Sequence, residues 1–168
     1  MRLLYLVSVG IHILAATVWI GGMLFLVLVV VPWLRRGGRT DAAIFLRETG
    51  ERFRNVGWIC FGLLLITGTF NLWVRGVRLS DFGRAEWLES SFGKTVLVKL
   101  GAFLVVLVVS ALHDFVVGPR ATKAIAADAR STDARQQRRR ASMLGRINVV
   151  LAIVLVAAGV VLVRGTPW

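Results

Sequence analysis

The sequence has 168 residues, 57% of them hydrophobic and 18% charged, with a mean hydropathy of +0.73 and a net charge of +12. This excludes a disordered chain, a disulfide scaffold and an ordinary soluble domain, in which charged residues make up about 25%. The basic residues fall between long apolar runs, so the charge is read as membrane topology and not as a nucleic-acid surface.

The first apolar segment spans about residues 3–34, LLYLVSVGIHILAATVWIGGMLFLVLVVVPWL. It is too long for a signal peptide, whose apolar part is about 7–15 residues, and Trp33, Arg35 and Arg36 follow it instead of a small-residue cleavage site. A spanning helix is predicted. His12 lies about 13 Å below Leu3 at 1.5 Å per residue, too deep to reach water. His12, Ala16, Trp19 and Met23 share one helix face, and Ala15, Ala16, Gly21 and Gly22 permit close approach of a neighbour.

A polar stretch follows, in which Thr40 or Asp41 is placed to cap a short helix, DAAIFLRETGERFR. The second segment, about 56–74, holds Cys60, Thr67, Thr69 and Asn71. The next connection, RLSDFGRAEWLESSFG, mixes aromatics with charges and reads either as an interfacial helix or as a plain loop. The third segment, about 95–117, holds Lys99, Ser110, His113 and Asp114, with Lys99, Val106, Ser110 and His113 on one stripe. The stretch ATKAIAADARSTDARQQRRR reads as a polar extension, and the fourth segment, about 147–163, begins beside Arg146 and Asn148. Each segment approaches the roughly 20 residues a spanning helix needs. In lipid the backbone must satisfy its own hydrogen bonds, so each is expected to be helical. The expected fold is an all-α, integral membrane four-helix bundle forming a single domain over residues 1–168.

Loops 35–55 and 118–146 together carry fourteen Lys and Arg, against six on the opposite side: Arg2, Arg75, Arg78, Arg84, Lys94 and Arg164. The excess places these two loops in the cytoplasm and both termini on the outer, periplasmic side of a bacterial-type inner membrane. Trp33, Trp58, Trp73, Trp87 and Trp168 lie near predicted helix ends, as an aromatic belt requires. His12, Thr67, Asn71 and Lys99 then share the outer half. Cys60, His113, Asp114, Met143, Arg146 and Asn148 fall toward the inner edge.

Few chemistries suit so sparse a polar set. There is no nucleophile–base pair, phosphate loop or paired intramembrane carboxylate, which argues against hydrolysis; redox activity would need bound haem or copper. Cu(I) favours soft Cys and Met sulfur and accepts imidazole, making His12, Met23, Cys60 and His113, together with Met143, the candidate copper ligands. Two histidines also invite a bis-histidine haem, but their axial offset, roughly 13 Å, exceeds the separation of two ligands on one iron. His12 with Lys99 fits better, an offset of about 7–8 Å that a lysine stem nearly spans. A haem b pocket would then use His12 and Lys99 with Trp19, Thr67 and Asn71. A third reading is a non-catalytic subunit of a larger membrane complex, or a homo-oligomer, packing through Gly and Ala.

Three runs carry a family resemblance: HILAATVWIGGMLFLVLVVVP, RFRNVGWICFGLLLITGTFNLWVRG and FGKTVLVKLGAFLVVLVVSALHDFVVGPRA. In order and spacing they resemble the copper-resistance protein D (CopD-like) membrane domain, from about residue 5 to 165. The resemblance implies a four-helix inner-membrane domain in copper uptake or resistance. His12 and the Lys99 of GKTVLVKL also resemble, more weakly, the first-helix histidine and later lysine of HemJ-like haem-associated membrane proteins.

Overall fold

The computed structural model describes residues 1–36, 42–128 and 130–164. Thr40 and Asp41, the expected cap, and Trp168 of the expected belt lie outside them. All regular structure among the described residues is helical, and four helical stretches are long and apolar enough to cross a membrane: Arg2–Trp33, Arg47–Val74, Ser91–Ala127 and Thr132–Arg164.

The first rod is α1 (Arg2–Phe25), a π-helical turn (Leu26–Val30) and α2 (Val31–Arg36). The second is α3 (Ala42–Val74), in which the expected short helix and the second apolar segment are one continuous element. A 3₁₀ turn (Leu79–Gly83) and α4 (Ala85–Glu89) make the next connection. This stretch, expected as either an interfacial helix or a plain loop, is mostly short helical turns. The third rod is α5 (Ser91–Leu112), a second π turn (His113–Val117) and α6 (Gly118–Ala127). The fourth is α7 (Thr132–Arg164), which absorbs the polar extension into helix.

Both π turns have the same cause. Each ends two residues before a proline, Pro32 and Pro119. Proline has no N–H to donate to the preceding turn, and its ring clashes with the carbonyl four residues back. Widening the turn relieves the clash without breaking the rod. α3 stops differently. Gly76 takes φ +87°, Gly76 N–H donates to Trp73 O at 3.0 Å and Val77 N–H to Leu72 O at 3.1 Å. This is the paired closure of a helix C-terminus that a left-handed glycine permits. α5 starts on Ser90, whose Oγ accepts from Gly93 N–H at 3.0 Å.

Contacts between rods fix their register. Tyr5–Arg75, His12–Thr67 and Trp19–Phe61 have residue numbers totalling 79 or 80, so α1 and α3 run antiparallel. Ser110–Asn148 and Lys99–Gly159 both total 258, so α5 and α7 do likewise. Aromatics join the two pairs. Phe61 lies edge-on to Phe103 at 6.1 Å, and Trp58 meets Phe115 at 5.5 Å. The core gathers Ala15, Trp19, Met23, Cys60, Phe61, Leu64, Val106 and Ala152. Outside it, Leu, Ile and Val cover much of the surface, as expected for side chains facing lipid.

Candidate functional site

Arg75 marks one end of the rods. Its Nε donates to the Tyr5 hydroxyl at 3.3 Å and its Nη1 to Leu162 O at 3.1 Å, gathering α1, α3 and α7. The start of α1 at Arg2 and the end of α7 at Arg164 therefore lie at the same end. Asp114 marks the opposite end.

Just inside the Arg75 end is a polar cluster. Ser8 is level with Asn71 in the α1–α3 register, and one turn further in His12 is level with Thr67. His12 Nδ1 is 2.7 Å from Thr67 Oγ1, and Thr67 Oγ1 also donates to Leu63 O at 2.6 Å. A hydroxyl has one proton to give. With that proton on Leu63 O, Thr67 accepts from His12, so Nδ1 carries the hydrogen, and in the neutral ring Nε2 is the nitrogen with the lone pair. The close approach needs a small neighbour: a Cβ on Gly68 would lie 3.4 Å from His12 Cε1.

Lys99 enters from α5. Its Nζ would be 3.8 Å from a Cβ on Gly159. The α3–α5 contacts put it at a level that brackets Thr67 and Asn71. Among the described residues Lys99 has neither a hydrogen bond nor an ion pair. Ser8 Oγ and Asn71 Oδ1 are also buried without a hydrogen-bond partner. This region thus offers an imidazole nitrogen, an amide oxygen and a hydroxyl, all uncommitted, with the Lys99 amine at a similar level and no described carboxylate joining them.

The sulfur candidates sit elsewhere. Cys60 and Trp19 are each 4% exposed, and Met23 is 7% exposed. Cys60 is level with Trp19, about 11 Å along the axis from His12, and Met23 is about 16 Å along. These residues cannot close on one ion with His12. Trp19 packs edge-to-face on Phe61 with centroids 5.0 Å apart. Met143 is 56% exposed, in a shallow groove with Arg138, Arg139, Ser142 and Arg146. Among the described residues no three His, Cys, Asp or Glu side chains group as a metal site.

His113 lies at the Asp114 end. Its Nδ1 is 2.9 Å from Asp114 Oδ1, and Trp58 Nε1 donates to Asp114 Oδ2 at 3.0 Å. Both carboxylate oxygens are engaged, and the hydrogen bond turns the ring so that Nε2 is the open nitrogen. Asp114 and Trp58 gave separate signals in the sequence, a solvated boundary acid and a belt tryptophan; only the tertiary fold joins residues 56 positions apart. The buried bond from Asn148 Nδ2 to Ser110 Oγ at 3.0 Å was equally invisible as a pair.

The model for the family copper resistance protein D (CopD) matches residues 47–162. An uncharacterized protein of Aquifex aeolicus (strain VF5) is 33% identical over 150 residues, covering 89% of this chain and 88% of that one. The copper transport protein CutJ of Bacillus subtilis (strain 168) is 30% identical over 102 residues, covering 61% of this chain and 17% of that protein. No solved structure matches the chain.

Proposed function

The chain belongs to the copper resistance protein D family, a family of copper-related membrane proteins, and from that premise we propose that it carries copper as Cu(I) across the bacterial inner membrane. The observation that carries the reading is His12, an imidazole anchored through Nδ1 by Thr67 so that Nε2 is its open nitrogen inside a membrane-length rod. An ionisable side chain at such depth is costly and marks a path or a ligand site.

In this reading the Arg75 end and both termini face outward, and residues 35–55 and 118–146 lie in the cytoplasm, following the excess of Lys and Arg there. Copper is the cargo. His12 receives it. The buried sulfurs of Cys60 and Met23 are soft donors spaced further along the same α1–α3 seam, and His113, aimed by Asp114, is the donor at the cytoplasmic end. Each is a separate stopping point of low coordination, as a conducting path needs, and not one tight site.

The test is Cu(I) binding by purified protein against a competing chelator, together with copper uptake into vesicles. His12→Ala is expected to reduce affinity by more than the ten- to hundredfold typical of losing a ligand's supporting hydrogen bond. Unchanged binding and uptake in that variant would remove the basis of the proposal. A second reading has His12 hold haem b through the same open nitrogen; the group would supply one-electron redox chemistry. A visible absorption spectrum of protein made with ample haem separates the two, since only haem gives a Soret band.

A further inference from the structure

We propose that one face of α7 at the Asp114 end binds an anionic diacyl phospholipid, its phosphate held by Arg138, Arg139 and Arg146 and one acyl chain laid in the apolar groove between α1 and α7. The inference is independent of the cargo at His12. Two concave surfaces carry it. The three arginines line one groove on α7 together with Ser142 and Met143. One turn further along α7, Val149, Ile153 and Val156 wall a second groove against Ile20 of α1. Its floor is Met23 and Ala152, which are 7% and 2% exposed. Every side chain lining this second groove is apolar.

The two grooves share one helix face. At about 100° per residue, the three arginines and Ser142 fall with Val149, Ile153 and Val156 inside a sector of about 100°. Their depths suit a lipid. The Ser110–Asn148 bond sets the α5–α7 register, which puts Asp114 level with about residue 144. Trp58 donates to Asp114 at 3.0 Å, and a tryptophan in such a place marks the headgroup boundary. Ser142 and Arg146 straddle that level, while Arg138 and Arg139 lie about 8–9 Å beyond it, toward water. From Arg146 to Val156 the rise is about 15 Å, one leaflet of a hydrocarbon core roughly 30 Å thick. Charge selects the headgroup. Among the described residues none of the three guanidinium groups has a hydrogen bond or an ion pair. Nearby acids are engaged elsewhere: Asp133 accepts from Gln137 at 3.3 Å, and both Asp114 oxygens have partners. Guanidinium groups match phosphate oxygens with a fork of donors, and a basic pocket at the end of spanning helices suits an anionic headgroup. A phosphocholine would bring its own cation to the same arginines. A free phosphate would use the arginines and leave the apolar groove empty, whereas a phospholipid fills both.

The experiment is native mass spectrometry of the purified, delipidated full chain in detergent, titrated with dioleoylphosphatidylglycerol or dioleoylphosphatidylcholine, with inorganic phosphate as competitor. One phosphatidylglycerol is expected to bind, about tenfold or more tighter than phosphatidylcholine, and equal concentrations of phosphate should not displace it. Arg139→Gln should weaken it about fivefold, the worth of one basic residue at an anionic surface. Arg140→Gln removes the same charge about 150° from the centre of the shared face, and should weaken it less than about twofold. Val156 is 53% exposed, so Val156→Phe fills the apolar groove without disturbing the core and should also weaken the lipid. Equal losses in Arg139→Gln and Arg140→Gln, or equal affinity for the two lipids, would reduce the arginines to a general positive surface and overturn the site. Displacement by inorganic phosphate, or unchanged affinity in Val156→Phe, overturns the acyl-chain role and with it the phospholipid. A dimer that persists in detergent and binds no phosphatidylglycerol overturns the proposal and gives the groove to a second copy.

Discussion

Asn148 Nδ2 donates to Ser110 Oγ at 3.0 Å, joining α7 to α5 through a side-chain pair that is buried on both sides. Asn148 Oδ1 has no hydrogen-bond partner. Asn148→Ala is expected to lower stability by about 1 kcal/mol, the usual worth of an interhelical bond in a membrane protein. Replacing both partners, Ser110→Ala with Asn148→Leu, should cost less than Asn148→Ala alone, because no polar group is then stranded. Unfolding of the two variants and the wild type in mixed detergent micelles gives the comparison.

Thr67 fixes the tautomer of His12. Thr67→Val keeps the shape and removes the acceptor, so Cu(I) affinity is expected to fall about ten- to hundredfold. Thr67→Ser, which retains the hydroxyl, should keep most of the affinity. A Thr67→Val protein that binds as tightly as the wild type would show that the ring needs no such anchor.

Trp58 presents its N–H to Asp114 while its ring packs on Phe61 and Phe115. Trp58→Phe retains most of the aromatic contact but leaves Asp114 Oδ2 short of a donor, with an expected loss of about 1–3 kcal/mol. Trp73 is 47% exposed, and Trp73→Phe should change stability by less than about 0.5 kcal/mol. Melting temperatures of the two variants, measured side by side, check the difference.

Adjacent glycines on α1 should behave differently. A methyl on Gly22 would overlap the Phe53 ring, whereas nothing lies within 4 Å of one on Gly21. Gly22→Ala is expected to destabilise by about 1–3 kcal/mol through overpacking. Gly21→Ala should be neutral or slightly stabilising, since it favours helix. Equal effects at both positions would argue against the close α1–α3 approach.

The proposed orientation is open to labelling. In a Cys60→Ser background, Gln136→Cys should react only with a membrane-permeant maleimide in intact cells, and Ser80→Cys with an impermeant one as well. The reverse pattern would invert the topology and exchange the entry and exit ends of the path.

The four spans were legible because lipid leaves the backbone no choice but helix, and runs of Leu, Val and Ile mark the depth directly. Their ends were less so. Hydropathy falls before residue 56 and after 117, yet the helices continue to Ala42 and Ala127 because few residues there break a helix. The inward face of α1 was readable from its spacing: Trp19 and Met23 are buried, His12 is half-buried, and Ser8 and Ala15 complete the stripe. Pairings across rods were not readable. His12–Thr67, Trp58–Asp114 and Ser110–Asn148 depend on register, which is set by side-chain packing and leaves no periodic mark in one sequence. The π turns did have a signal, Pro32 and Pro119 inside apolar helices, and it lay in plain view.

These two proline-driven turns have a mechanical consequence. Each accommodates an extra residue in its circuit, so the segment beyond it is rotated from where an unbroken α-helix would carry it, by about 100° per residue inserted. Both occur toward the Asp114 end, one on each of two rods that run in the same direction. That end is therefore built from pieces whose clocking is set locally. Deleting one residue from 26–30, or from 113–117, would re-aim everything downstream like a screw turned through part of a revolution. Val31–Arg36 would swing in the first case; in the second, Gly118–Ala127 would face away from α7.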